Sequence, residues 1–351
     1  MAASPSFLAL EDGSVFRGES AGAAGVATGE AVFTTGMSGY QEAVTDPSFA
    51  GQIVCFTAPM VGNYGVAEER SESQTLHARG VVMREARGPA WTDWLREREV
   101  VALTGIDTRS LVLTLREAGA MRAVAVAGEG SVEEALALAR SIPAMSGQAL
   151  VADVSAERPY VYTDAGAPRI AVVDYGVKRS VLRRLAAAGA AVTVYPHAVD
   201  ADELAGYDGV LLSPGPGDPE PLVDEAATVG ELVGRTHVLG ICLGHQLLAL
   251  ATGHETFKLP FGHRGTNHPV LQRQDGRVLV TSQNHGFAVR ATDAKEATHV
   301  SLYDGTVEGL EFPDLHARSL QFHPEAGPGP HDAWPLLERW VGEVAEVSRR
   351  A

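Results

Sequence analysis

The chain has 351 residues, 45% of them apolar, and a formal net charge of −16 from 28 basic and 44 acidic side chains. Its length suggests two domains with a real buried core and excludes a disordered chain. The charge excludes a basic face for nucleic acid or anionic lipid, and two cysteines exclude a disulfide framework.

In chain order, Phe7–Leu10 and Ser14–Arg17 read as short strands around an Asp12-Gly13 turn, followed by β-type runs at Glu30–Thr34 and Ile53–Thr57. Helices are expected over Ala90–Glu97, over Thr108–Glu117 capped by Asp107 and stopped by Gly119, and over Ser131–Arg140 with Ser131 as its cap. This half mixes strands and helices without a βαβ rhythm. Residues 153–168 lose apolar periodicity and read as a linker, so the expected division is 1–152, linker 153–168, and 169–351.

From Arg169 the pattern changes. Ile170–Asp174, Ala191–Tyr195, Gly209–Leu212 and His237–Ile241 are strands of buried parallel type. They alternate with helices over Lys178–Ala188, near Asp202–Leu204, over Leu222–Val233 and over Gly244–Ala251. Such alternation specifies a doubly wound α/β domain, whose sites lie at the C-terminal strand edge. Strands and hairpins fill Phe257–Phe322, and a helix over Trp334–Val347 closes the chain. The opening residues, MAASPSFLALEDGS, have no signal-peptide character, and no apolar stretch reaches a membrane span of about 18–20 residues. A soluble, cytoplasmic protein is expected.

The sharpest chemical signal is Gly240-Ile241-Cys242-Leu243-Gly244-His245-Gln246. A buried strand runs into a cysteine and a helix follows at once, the nucleophile elbow with sulfur in place of oxygen. Glycines on both flanks make room for a strained turn, the helix dipole favours the thiolate, and the Leu243 N–H is left to meet an oxyanion. Cys55, inside the apolar run Ile53–Phe56, has none of these features and reads as an inert core residue.

A nucleophilic cysteine needs a base. In His323-Pro324-Glu325 an extended backbone puts the imidazole and carboxylate on one side, where the carboxylate can orient the ring. His245 is the weaker candidate and reads as a structural hydrogen-bonder. The loop Pro214-Gly215-Pro216-Gly217-Asp218-Pro219 lacks the lysine and serine of a phosphate loop and suits close backbone approach to a substrate. Ser282-Gln283-Asn284-His285-Gly286-Phe287 suits recognition of an amide or α-amino acid. His263, His268 and His285 are too scattered for metal-ligand spacing, so no metal site is expected.

Together Gly240–Gly244 and His323-Pro324-Glu325 resemble the class I, triad-type glutamine amidotransferases. The longer strings SPGPGDP (213–219), GICLGHQLLALATG (240–253), SQNHGFAV (282–289) and FHPEAGPGPHDA (322–333) are similar to the small-subunit family of carbamoyl-phosphate synthase. LEDGSVFRGES (10–20), TTGMSGYQEAVTDPSFAGQIV (34–54) and GIDTRSLVLTLREAG (105–119) resemble that family's N-terminal domain, which other class I amidotransferases lack.

The resemblance implies a class I amidotransferase domain after a mixed α/β domain. It implies Cys242 as nucleophile, His323 as base and Glu325 as its orienter. It implies glutamine binding by Ser48, Gly215, Gly217, Leu243, Gln246, Asn284, Gly286 and Phe287, with Ser48 contributed by the other domain. Pro214 stands where the family more often has asparagine, so an oxyanion donor in that loop has to be Gly215 or Gly217. The implied partner is a large subunit that uses ATP, bicarbonate and a divalent cation to make carbamoyl phosphate for arginine and pyrimidine biosynthesis. No cofactor is expected on this chain. Two rival readings are a glutaminase subunit of another synthase, opposed by the N-terminal domain, and a non-catalytic regulatory subunit, opposed by the intact triad.

Overall fold

The computed structural model describes residues 5–290, 294–326 and 329–350. They divide into two compact units, Met1–Ser146 with Pro260–Gly265, and Gly147–Leu259 with Thr266–Ala351. The packing therefore draws the boundary at Gly147, earlier than the expected 152, and assigns a short excursion at 260–265 to the N-terminal unit. Among the described residues no helix is long and apolar enough to cross a membrane.

The N-terminal unit contains β1 (Pro5–Leu10), β2 (Val15–Ser20), β3 (Gly25–Thr34), α1 (Tyr40–Thr45), β4 (Gln52–Phe56) and β5 (Gly80–Val82). It continues with α2 (Pro89–Glu97), β6 (Val101–Thr104), α3 (Thr108–Ala118), β7 (Met121–Ala127) and α4 (Val132–Ser141). Both predicted caps form: the Asp107 carboxylate accepts the Ser110 N–H at 3.1 Å, and the Ser131 hydroxyl accepts the Glu134 N–H at 3.3 Å. The strands close a barrel in the order β1-β2-β6-β5-β4-β3-β7, because β7 pairs with both β3 and β1.

Alternation along β4 divides its side chains between two cores. Ile53 and Cys55 pack with Leu111 and Leu115 of α3, whereas Val54 and Phe56 pack with Tyr40 of α1 and Trp91 of α2. The structure adds a rhythm that the sequence concealed. β3, β4, β5 and β6 are successive parallel neighbours, with α1 lying between β3 and β4 and α2 between β5 and β6. A strand as short as β5, three residues, carries too little periodicity to announce itself.

The C-terminal unit begins with β8 (Tyr160–Thr163), β9 (Arg169–Asp174), α5 (Arg179–Ala187), β10 (Ala191–Pro196), α6 (Ala201–Leu204) and β11 (Gly209–Leu212). Next come α7 (Val223–Leu232), β12 (His237–Ile241), α8 (Leu243–Ala251), β13 (Glu255–Gln272) and β14 (Val278–Arg290). β15 (Ala297–Ser301), β16 (Val307–Phe312), β17 (Ala317–Leu320) and α9 (Trp334–Ser348) complete it. Its ten-stranded sheet has the order β14-β13-β15-β16-β17-β12-β11-β9-β10-β8.

The five strands from β17 to β10 are parallel, in the doubly wound order 2-1-3-4-5 when counted along the chain. The expected linker differs from the structure. Within 153–168, β8 forms an antiparallel edge strand on β10. Tyr160, Val161 and Tyr162 are all exposed, so no buried face marked the strand in the sequence.

Candidate active site

β12 ends at Ile241 and α8 starts at Leu243, leaving Cys242 as the whole connection. It sits at φ 54°, ψ −103°, a conformation that L-residues avoid at a cost of about 1–3 kcal/mol. The flanking glycines are required by space. A Cβ on Gly240 would collide with the Gly244 carbonyl, and one on Gly244 with the Leu212 carbonyl. The Cys242 N–H donates to the Leu320 carbonyl at 2.8 Å, and its thiol points at the Asn284 carbonyl, 3.6 Å away. Leu243 opens α8, so its N–H is among the donors that a helix cannot satisfy internally.

Parallel pairing supplies the second group. Ile241 lies beside Leu320, so β12 and β17 end together and the chain leaving β17 passes the cysteine as it reaches His323. The His323 N–H is held by the Ser282 carbonyl at 2.9 Å, and its Nδ1 lies 2.8 Å from Glu325 Oε1. An ionised carboxylate only accepts hydrogen bonds, so Nδ1 carries a proton toward Glu325 and leaves Nε2 for a second partner. That Nε2 is buried and has no hydrogen-bond partner among the described residues.

Glu325 also meets Lys178 Nζ at 2.5 Å, and both side chains are buried. Burial alone would push the Glu325 carboxyl up. The Lys178 ammonium and the His323 imidazole outweigh it and hold the group well below the usual carboxylate range. Trp334, at the start of α9, donates its indole N–H to the Glu325 backbone carbonyl at 3.1 Å. Neither residue is among those expected from the sequence. One signal was available for Lys178, as one of only three lysines in the chain. None marked Trp334, nine residues after Glu325.

The remaining predicted positions fall into three groups. Leu243, Gln246, Asn284, Gly286 and Phe287 lie on α8 and β14 in the same unit as the cysteine. Gln246 is already engaged, its amide donating to the Phe287 carbonyl at 2.9 Å and to Gln321 Oε1 at 3.1 Å. Gly215 and Gly217 follow β11. A Cβ on Gly215 would strike the Tyr175 carbonyl and press on the Leu243 side chain at 2.7 Å, so packing within the protein requires glycine there. Gly217, at φ 91°, forms a β-bridge with Ala149.

Ser48 belongs to the N-terminal unit, in a 3-10 turn over Pro47–Phe49 capped by Asp46. Its hydroxyl is buried without a hydrogen-bond partner among the described residues. His245 is fully buried with Nδ1 2.8 Å from the Ser319 hydroxyl, the structural part expected of it. Burial, aided by the nearby imidazoles of His254 and His299, pushes it down to about 3. His285 bonds Gln283 Oε1 at 3.0 Å and the Phe287 carbonyl at 2.7 Å.

Comparison with known proteins gives a consistent result along the chain. A family model described as carbamoyl-phosphate synthase small chain, CPSase domain, matches residues 8–125, and one for glutamine amidotransferase class-I matches residues 171–341. The carbamoyl phosphate synthase small chain of Xanthomonas campestris pv. campestris is 45% identical, with 98% of this chain and 99% of that one covered. Its counterpart in Syntrophotalea carbinolica is 43% identical over 98% of each chain. The small chain of Ralstonia nicotianae is 45% identical over 97% of this chain and 98% of that one.

Proposed function

Since the chain belongs to the small-chain family of carbamoyl phosphate synthase and carries its class I glutamine amidotransferase domain, we propose that it hydrolyses L-glutamine through Cys242, His323 and Glu325 and delivers the ammonia to a large subunit. The observation that carries this reading is the strained Cys242 turn at the head of α8, with the oriented His323 imidazole at the end of the neighbouring strand.

The thiolate of Cys242 attacks the side-chain amide carbon of glutamine. Charge then develops on the amide oxygen, which the N–H groups of Leu243 and Gly215 stabilise. His323, carrying the thiol proton on Nε2, gives it to the leaving ammonia, and a γ-glutamyl thioester remains. The same nitrogen next takes a proton from water, whose oxygen attacks the thioester, and glutamate leaves as the thiol is restored. Glu325 keeps Nδ1 protonated and stabilises the imidazolium, and Lys178 keeps Glu325 ionised. Ser48, Gly217, Gln246, Asn284, Gly286 and Phe287 are assigned to glutamine binding.

Ammonia released into water near neutral pH becomes ammonium and ceases to be a nucleophile. A glutaminase that feeds a synthase is therefore expected to work inside a stable complex, slow alone and faster when the partner turns over. ATP, bicarbonate and a divalent cation are assigned to the large subunit. The test uses the complex with Cys242→Ser. Glutamine-dependent carbamoyl phosphate synthesis is expected to vanish while added ammonium still supports it; retained glutaminase activity would remove Cys242 from the reaction.

A further inference from the structure

The chain enters the C-terminal unit at Gly147, and residues 147–156 run past the C-terminal ends of three neighbouring parallel strands, β11, β9 and β10. Beyond β11, the Gly147 N–H donates to Asp218 Oδ2 at 2.8 Å, the Asp218 N–H donates to the Gln148 carbonyl at 2.9 Å, and Ala149 bridges Gly217. Val151 is then sunk into the core that holds Leu212 and Leu243. Beyond β10, the Ser155 hydroxyl accepts the His197 N–H at 2.9 Å, and at the end of β9 the Ala156 N–H donates to Asp174 Oδ2 at 2.9 Å. Both carboxylates are buried.

Two of the three loops met in this way carry groups of the proposed reaction. Asp174 Oδ1 accepts the N–H groups of Gly176 and Val177 at 2.9 and 2.7 Å, in the turn that delivers Lys178 to Glu325. The loop after β11 carries Gly215 and Gly217 and is gripped from two sides. A Cβ on Gly217 would lie 2.6 Å from the Gln148 carbonyl, and one on Gly215 would lie 2.3 Å from the Tyr175 carbonyl. Asp218 closes the clasp, because its second oxygen accepts the Glu220 N–H at 3.0 Å. One carboxylate therefore ties residues 147–149 to the turn that follows the two glycines. A donor aimed at an oxyanion is effective only where it is held, since a misplacement of about 1 Å can cost about a hundredfold in rate.

We propose that residues 147–156 form a strap that holds the Gly215 N–H in its oxyanion position, and that Asp218 is the positioning residue that fastens it, acting through the loop rather than on glutamine. The inference rests on the reading of this chain as a glutaminase that uses Cys242, with Gly215 as an oxyanion donor.

Steady-state glutaminase kinetics on the complex with Asp218→Ala test it, beside alkylation of Cys242 by iodoacetamide. Alkylation joins the sulfur to a saturated carbon and expels iodide, so no oxyanion forms. In Asp218→Ala, kcat should fall about ten- to hundredfold, and the alkylation rate should stay within about twofold of wild type. The loss should fall mainly on kcat, because an oxyanion donor acts in the transition state. A purely structural role would lower the unfolding midpoint and leave kcat of the folded complex alone. Asp218→Asn keeps one of the two acceptor oxygens and should show the same pattern with a smaller loss, which carries the comparison if the alanine chain does not fold. Cys242→Ser is assayed alongside: retained turnover there would remove the glutaminase reading itself. With Cys242→Ser inactive, a kcat within about twofold of wild type in Asp218→Ala, or alkylation slowed as much as turnover, would overturn the strap alone.

Discussion

The two cysteines are almost equally buried, Cys55 at 1% and Cys242 at 2% exposure, yet they occupy opposite kinds of backbone. Cys55 lies within β4, in regular register with its neighbours on both sides, and burial pushes its thiol up to about 12. Cys242 lies where a strand has ended and a helix begins, at positive φ, beneath the first N–H groups of α8. Burial therefore does not distinguish a packing thiol from the proposed nucleophile. The position of the residue in the backbone does, because only a turn exposes the sulfur to a helix dipole and to groups arriving from neighbouring strands.

The sharpest way to break this comparison is to exchange oxygen for sulfur at both sites. Cys242→Ser should lower glutaminase turnover by about a thousandfold or more, a loss of at least about 4 kcal/mol of transition-state stabilisation. Its stability should stay within about 1 kcal/mol of wild type. Cys55→Ser should do the reverse, leaving turnover intact while the buried hydroxyl costs about 1–3 kcal/mol in urea denaturation. If Cys55→Ser also abolished turnover, the difference drawn from backbone position would fail.

One ion pair taken from each unit makes a second contrast. Arg96 and Asp93 of α2 form a 2.6 Å pair with both side chains more than half exposed, whereas Lys178 and Glu325 are sealed from solvent. Lys178→Met is expected to cost about 3–5 kcal/mol, since it leaves a buried carboxylate short of its cation. It should also raise the Glu325 carboxyl and slow glutamine turnover. Arg96→Met should cost less than about 1 kcal/mol. Denaturation of the two variants side by side measures the contrast.

A third test lies in acid response. Two imidazoles of the C-terminal unit, His245 at about 3 and His299 at about 4, are strongly depressed. A histidine whose folded value lies below its unfolded 6.5 contributes stability that is present above that pH and lost as pH falls toward the folded value. From pH 7 to 5, His245 alone should remove about 2 kcal/mol. His245→Gln should flatten that part of the pH dependence; an unchanged slope would mean that the ring is already protonated or already exposed.

The C-terminal unit was the more legible of the two. Its strands and helices are long enough to show their periods, from Arg169–Asp174 to Leu243–Ala251, and Gly240, Cys242 and Gly244 form a contiguous string that forces one local geometry. The barrel was less legible, since its closure depends on β7 pairing with β1 and β3, contacts that no local pattern records. The role of Lys178 was hidden for the same reason. It lies 147 positions before Glu325 in the chain, and only the sheet brings the two together.

Ser48 offers the smallest expected effect and the finest test of the contrast between the units. Its 3-10 turn is fully accounted for by other groups: Asp46 Oδ1 accepts the Ser48 N–H at 2.9 Å, and Phe49 is buried beside Val44 and Phe56 in the barrel's outer core. Nothing in the turn uses the hydroxyl, which is nonetheless buried, and a buried donor without a partner is costly to keep unless something else answers it. Removing it should therefore leave the barrel at least as stable as before. If glutamine is what the hydroxyl bonds, Ser48→Ala loses one uncharged hydrogen bond, about 0.5–1.5 kcal/mol. KM for glutamine should then rise from severalfold to about tenfold, with turnover at saturation little changed because Cys242 and His323 are untouched. Steady-state glutaminase kinetics on the complex separate the outcomes. A raised KM at constant stability makes the N-terminal unit a contributor to substrate binding, whereas an unchanged KM confines glutamine recognition to the C-terminal unit.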